Sequence, residues 1–277
     1  TMRALQLVAG WDVANAAAAV VAADGTVVAT IGDINRVYRL ASLTKVATGW
    51  AAMVAVEEAT VGLDEPIGQP GCTLRHLLAH AGGYPNIGSK PIAPPGRRRI
   101  YSNAGIELAA STIEQRAAMP FARYLAEAVL APLGMNDTKL TGSPASEMFG
   151  TVADLARLLA DLQHSRVLSA AGAAEAVTIQ FPELSGIVPG VGRFDPCPWG
   201  LGIEIRGQKS PHWTGTTNSP ATFGHFGASG TMMWVDPAAG CSLVALADRE
   251  FDDWPDALDQ WSRLSDAVVA EWTGSTT

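Results

Sequence analysis

The placement of its extended segments constrains this chain most, because β-compatible runs crowd its two ends and a long, mostly helical stretch separates them. Val13 to Ala23 and Thr26 to Gly32 are apolar runs joined by Asp24-Gly25, a pair suited to the positive φ angles of a tight hairpin turn. A third short run spans Val37 to Leu40. Comparable runs return only at Gly200 to Arg206, Thr222 to Phe226, Thr231 to Val235 and Ser242 to Ala247, after a Gly/Pro-rich passage from Ser185 to Pro198.

Between these ends the pattern predicts helices over Ser42 to Ala59, Thr73 to His80, Ala104 to Ala118, Phe121 to Ala131 and Thr151 to Gln163, with a last helix over Pro255 to Trp272. In the first of these, Val46, Trp50, Met53, Val54 and Val56 fall toward one side. Thr151 and Asp154 suggest a capping box. Trp254 and Trp261, seven apart, would share one face of the terminal helix and pack against a sheet. Strands at both ends with helices inserted between them imply an α/β fold of the α+β type. An antiparallel β-sheet would be flanked by helices from both termini, with an inserted helical lobe. Residues 1–72 and 185–277 read as the sheet region and 73–184 as a mainly helical lobe. Together they would form one interleaved catalytic unit with its site in the groove between lobes.

Composition narrows the function classes. A chain of 277 residues, 48% hydrophobic, can bury a sizeable core. Its net charge of -8 and its single basic cluster, Arg97-Arg98-Arg99, argue against a nucleic-acid partner. That arginine run could meet an anionic substrate near Tyr101, but it reads as solvated surface and stays outside the candidate site. Cys72, Cys197 and Cys241 show no Cys-x-x-Cys or Cys/His spacing, so they read as reduced, packed thiols. His76 and His80, four apart on a helix, lack a third ligand, and neither metal nor cofactor is expected. Thr1 and Met2 lead through Arg3 to Trp11 without the pattern of a signal peptide, and the apolar runs stop near ten residues, so no membrane span and a cytoplasmic location are expected.

Three stretches carry chemistry. In Ser42-Leu43-Thr44-Lys45 a helical turn would stack the hydroxyl and the amine on one face, so that the amine could take the hydroxyl's proton. The bland alternative is a helix N-cap serine followed by a solvated lysine. Tyr101-Ser102-Asn103 follows the Pro94-Pro95-Gly96 turn and precedes a helix. Its phenol and amide suit proton transfer and carbonyl orientation, although Asn103 could simply cap that helix. Gly224-His225-Phe226-Gly227-Ala228-Ser229-Gly230 lies on or beside a strand whose small residues would let a ligand approach bare backbone. His225 could equally be a packed strand histidine.

In that order, Ser-x-x-Lys, Tyr-Ser-Asn and His-x-Gly resemble the serine β-lactamase and penicillin-binding-protein superfamily, in the branch that holds class C β-lactamases, D-peptidases and β-lactamase-like esterases. Leu77-Leu78-Ala79-His80-Ala81-Gly82-Gly83, the Pro95-Gly96 turn, Leu133-Gly134-Met135 and Trp234-Val235-Asp236-Pro237 extend the resemblance over most of the chain. The resemblance implies Ser42 as nucleophile, with Lys45 and Tyr101 sharing the base role. It also implies that Asn103 positions the substrate carbonyl and that the backbone amides of Ser42 and Ala228 form an oxyanion hole. A nearby ammonium would favour the Tyr101 phenolate.

Where class C β-lactamases carry Lys-Thr-Gly, this chain has His225-Phe226-Gly227, which removes a permanent charge that would anchor a β-lactam carboxylate. Phe226 would cover an apolar acyl or alcohol group. The expectation is therefore a serine hydrolase acting on a small-molecule ester or small amide, of carboxylesterase type. The alternatives are β-lactamase or D-peptidase activity on a lactam or peptide, or a non-hydrolytic penicillin-binding sensor.

Overall fold

The computed structural model describes residues 2–275. Its centre is a six-stranded antiparallel sheet. From the N-terminal end come β1 (Ala16–Ala22) and β2 (Val27–Ile31). A three-stranded patch is made by β3 (Tyr38–Arg39), β4 (Lys139–Leu140) and β5 (Met148–Gly150), and a separate hairpin by β6 (Gly186–Val188) and β7 (Gly192–Phe194). The C-terminal end supplies β8 (Glu204–Ile205), β9 (Phe223–Gly227), β10 (Thr231–Asp236) and β11 (Cys241–Ala247). The central strands run in the order β2-β1-β11-β10-β9-β8, and β1 lies beside β11 with Ala16 opposite Ala247 and Ala22 opposite Cys241. The two ends of the chain are thus one sheet, as the segment pattern requires.

Both faces of the sheet are covered. Ala17, Ala19, Val21, Met233, Val235, Val244 and Leu246 point into the core shared with the inserted helices. Ala18, Val20, Met232, Trp234, Leu243 and Ala245 point to the other core, beneath the terminal helix α8 (Ala257–Ser275) and an N-terminal 3-10 helix over Arg3–Gly10. Burial on both faces explains why β1 reads as an unbroken apolar run, and β11 as one broken only by Ser242, rather than as strict alternation.

The remaining helices are α1 (Thr44–Glu57), α2 (Leu74–Leu78), α3 (Asn103–Ala117), α4 (Phe121–Leu125), α5 (Ala131–Leu133), α6 (Val152–Gln163) and α7 (Ala170–Ala176). A π turn over Ala126–Leu130 joins α4 to α5. α6 packs across β1, β10 and β11, and α1 packs against α3 and α7. α1 is buried on every side from Thr44 to Ala55, so the one-sided apolar stripe expected there is corrected. Such a helix runs through a core rather than over it.

Several local expectations are also revised. In the β1–β2 turn only Gly25 takes a positive φ, +85°, while the Asp24 carboxylate accepts the Thr26 N–H at 2.9 Å. The Thr151 hydroxyl does accept the Asp154 N–H, but the Asp154 carboxylate turns away to Asp137 N–H, the Thr138 hydroxyl and Arg157, so the capping box is only half formed. Trp254 precedes α8 and stacks edge-on against Trp11 and Trp261, at 5.2 and 5.9 Å. Arg99 is buried at 3% exposure, and its guanidinium donates to the carbonyls of Ala79, Gln180, Phe181 and Cys197. A charge run read as solvated thus hides one structural cation. The three cysteines are free and buried. Among the described residues no helix is long and apolar enough to cross a membrane.

Candidate active site

Ser42 lies in the 3-10 turn Ala41–Leu43 between β3 and α1, and Ala41 holds a left-handed φ of +45°. Such a backbone costs an alanine roughly 1–2 kcal/mol, so neighbours must hold the turn. The Thr44 hydroxyl donates to the Ala41 carbonyl at 2.6 Å and the Leu43 N–H to the Leu40 carbonyl at 3.1 Å. β9 closes over the same turn, since a Cβ on Gly227 would stand 2.5 Å from the Leu40 carbonyl oxygen and 2.4 Å from the Thr231 hydroxyl. Gly227 is therefore small so that strand and turn can touch, not so that a ligand can lie there. Ser42 caps no helix, because the N-cap of α1 is Leu43.

Lys45 is in the first turn of α1, fully buried, with Nζ 3.1 Å from Ser42 Oγ and donating to the Ala145 carbonyl at 2.9 Å. Burial pulls its pKa from 10.5 down to about 7, against a weak opposing pull from Glu107. From the loop before α3, the Tyr101 hydroxyl donates to Ser42 Oγ at 2.7 Å. Lys45 Nζ stands 4.7 Å from the centre of the Tyr101 ring. Burial nevertheless raises the Tyr101 pKa well above 10.0, outweighing the hydrogen bond to Ser42, which lowers it. The pull of the neighbouring amine toward phenolate is thus outweighed by burial. Desolvation disfavours both charged forms, and it leaves a phenol beside an amine that is half neutral near pH 7.

Asn103 opens α3, but its N-cap is Ser102, whose hydroxyl accepts the Gly105 N–H at 2.8 Å, so the capping role imagined for Asn103 belongs to its neighbour. Asn103 Oδ1 is buried without a hydrogen-bond partner among the described residues. His225, on β9, donates from Nδ1 to the Phe226 carbonyl at 2.6 Å, which leaves Nε2 3.5 Å from the Tyr101 hydroxyl. Burial, reinforced by Lys45, lowers its pKa to about 4, so no permanent cation stands there at neutral pH. Phe226 packs against Trp213, Phe251 and Trp261 in the core under α8 and also lines the pocket beside His225.

Ser42, Tyr101, Asn103, His225 and Ala228 line one cavity of about 380 Å³. Neither the Ser42 nor the Ala228 amide has a hydrogen-bond partner among the described residues. A roomier groove of about 870 Å³ between β2 and α6 brings no nucleophile and base together.

Sequence reasoning gave no part to three groups beside this cavity. The Ala145 carbonyl that orients Lys45 is backbone, which no residue type announces. Trp199 lines the cavity with its ring 6.0 Å from that of Tyr101 and 5.0 Å from that of His80, and the Pro198-Trp199-Gly200 punctuation was the available signal. Behind Trp199, fully buried Glu204 accepts from Lys209 Nζ at 2.9 Å, His212 Nε2 at 3.0 Å and Trp213 Nε1 at 2.7 Å. Burial would raise the Glu204 pKa, but Lys209 and His212 hold it well below the usual range.

A serine hydroxyl met by a buried amine and a phenol, beside two unoccupied amides, is the arrangement of a nucleophilic serine site. The family model described as Beta-lactamase matches residues 6–267, and the chain belongs to this family of β-lactamase-like serine hydrolases. It superposes on a beta-lactamase crystal structure from Mycobacterium bovis with a TM-score of 0.95, at 50% identity, covering 98% of this chain and 99% of that one. EstCE1, described as a hydrolase with promiscuous acyltransferase activity, shares the fold at 18% identity and a TM-score of 0.78, covering 96% of this chain and 97% of that one. The D-alanyl-D-alanine-carboxypeptidase/endopeptidase AmpH of Escherichia coli K12 is 26% identical over 149 residues, which is 40% of this chain and 39% of AmpH. The chain thus matches about two-fifths of the length of that curated relative.

Proposed function

We propose that the protein hydrolyses small carboxylic esters or amides through an acyl-enzyme on Ser42. The observation that carries this reading is the convergence on Ser42 Oγ of Lys45 Nζ at 3.1 Å and the Tyr101 hydroxyl at 2.7 Å. Neutral Lys45 accepts the Ser42 proton as Oγ bonds to the substrate carbonyl carbon, and the oxyanion that forms is met by the Ser42 and Ala228 amides. Collapse breaks the bond to the alcohol or amine, whose proton returns from Lys45 by way of Tyr101. Water then adds to the acyl-enzyme along the same proton route, releasing the acid and restoring Ser42. Asn103, with its unpartnered Oδ1, takes a donor of the substrate.

The absence of a permanent cation at His225 favours esters over β-lactams. The names of the M. bovis and E. coli relatives supply the second reading, a β-lactam or D-alanyl peptide. Intact mass after incubation with short 4-nitrophenyl esters, D-alanyl amides and a chromogenic cephalosporin separates the two. A Ser42-borne acyl adduct that turns over fastest with the esters is expected, and faster turnover of the cephalosporin would reverse the preference. Because Gly227 seats the oxyanion strand on the Ser42 turn, Gly227→Ala is expected to lower kcat about 10²-fold, the size of one lost oxyanion donor, as read by steady-state ester hydrolysis.

A further inference from the structure

Beside the Ser42 cavity, and sharing Asn86, Tyr101 and Pro189 with it, lies a second cavity of about 390 Å³. Its walls come from residues 85–92, 98–101 and 185–193 and carry two exposed isoleucines, Ile92 at 58% and Ile187 at 57%. Arg98 and Arg193 also line it, both exposed, and neither guanidinium has a hydrogen bond or ion pair among the described residues. Most surface arginines here do have a carboxylate partner: Arg36, Arg39, Arg75, Arg116, Arg123, Arg157, Arg249 and Arg263 are all paired. No Asp or Glu lines the cavity, although the chain carries a net charge of -8, and Glu183, which acts electrostatically on Arg99, is outside the lining. The walls are built rather than loose, because buried Arg99 ties the carbonyls of Ala79, Gln180, Phe181 and Cys197 together and Arg99 bridges Gly186.

We propose that this cavity is the subsite for a carboxylate carried on a short apolar stem of the substrate, with Arg98 and Arg193 as its specificity-determining residues. Planar guanidinium groups suit a carboxylate, which they bind with paired hydrogen bonds, and the isoleucines suit the stem. The anion is thereby anchored on the Tyr101 side of Ser42, away from the uncharged His225 edge. The inference rests on the acyl-enzyme reading and extends it to a class of substrate, the half-esters and carboxylated esters.

Two matched series test it. On the acyl side, 4-nitrophenyl esters of a dicarboxylic acid are compared with those of the neutral acid of equal length. On the alcohol side, the acetate of 4-hydroxybenzoate is compared with that of 4-hydroxybenzamide. In at least one series the carboxylate is expected to raise kcat/KM about 10-fold, mainly through KM, and that ratio is expected to collapse toward one in Arg98→Gln/Arg193→Gln. A preference for the neutral member in both series, or a carboxylate preference that survives the double variant, overturns the proposal. Calorimetric titration of the same carboxylated esters into Ser42→Ala, with and without the two glutamines, reads the subsite apart from catalysis. Arginine-dependent binding without Ser42-dependent hydrolysis in the native chain would leave the subsite standing and remove the acyl-enzyme reading. Equal binding by both proteins removes the subsite.

Discussion

Ser42→Ala is expected to bring ester hydrolysis to background and Lys45→Met to lower kcat/KM about 10²–10⁴-fold, with the double variant no slower than Ser42→Ala alone. A nucleophile and its base act as a unit, so the losses do not add. Because Lys45 is drawn down to about 7, native kcat/KM should rise with pH through about 7 and then stay level. The raised pKa of Tyr101 gives no falling limb below 10.0. A bell-shaped profile descending below that pH would show the phenol titrating instead. Lys45→Met should also move stability the opposite way. Between its folded value of about 7 and its ordinary 10.5, the unfolded chain binds the Lys45 proton that the folded chain has shed, so stability rises with pH across that window. Below about 7 the full cost of a desolvated ammonium is present. The methionine variant is therefore expected to be the more stable protein at about pH 6, by on the order of 1–4 kcal/mol, and to lose that lead by about pH 10. Urea midpoints at the two pH values check this, and equal midpoints at both would contradict it.

Glu204→Gln is expected to destabilise the fold by about 3–5 kcal/mol, because it leaves the Lys209 ammonium, at 0% side-chain exposure, without its carboxylate. The Pro198 and Ile205 carbonyls still accept from Lys209, but neither carries a compensating charge. Glu204→Gln/Lys209→Met removes both charges and is expected to recover most of the loss, as read by denaturant midpoints. A single variant as stable as the native chain would mean that the pair contributes nothing. Trp199 stands between this pair and the site, its ring 5.5 Å from Lys209 Nζ and 5.7 Å from His225.

The large sheet and the Ser42-Lys45-Tyr101 cluster were legible because each rests on short-range signals: Asp24-Gly25 between two apolar runs, a three-residue spacing on a helix, and a tyrosine between a turn and a helix. Strands of two or three residues, such as Lys139–Leu140 and Met148–Gly150, were not legible, since no periodicity can develop over that length. Arg99 could not be told from Arg97 and Arg98, because the carbonyls that hold it come from residues as far away as Cys197. Which of Lys45 and Tyr101 is deprotonated at rest was not legible, because a sequence shows neighbouring charge more readily than burial.

The pairing of β1 with β11, Ala16 opposite Ala247, has a consequence for the protein's synthesis. On the ribosome Ser42, Lys45 and Tyr101 emerge long before the strands that must shelter them, and contacts so remote in sequence form late. A nascent chain released before Ala247 therefore carries its alcohol, amine and phenol without a complete β11, the strand that joins β10 to β1. The sheet whose strand β9 closes over the Ser42 turn is completed only when this last central strand pairs with β1.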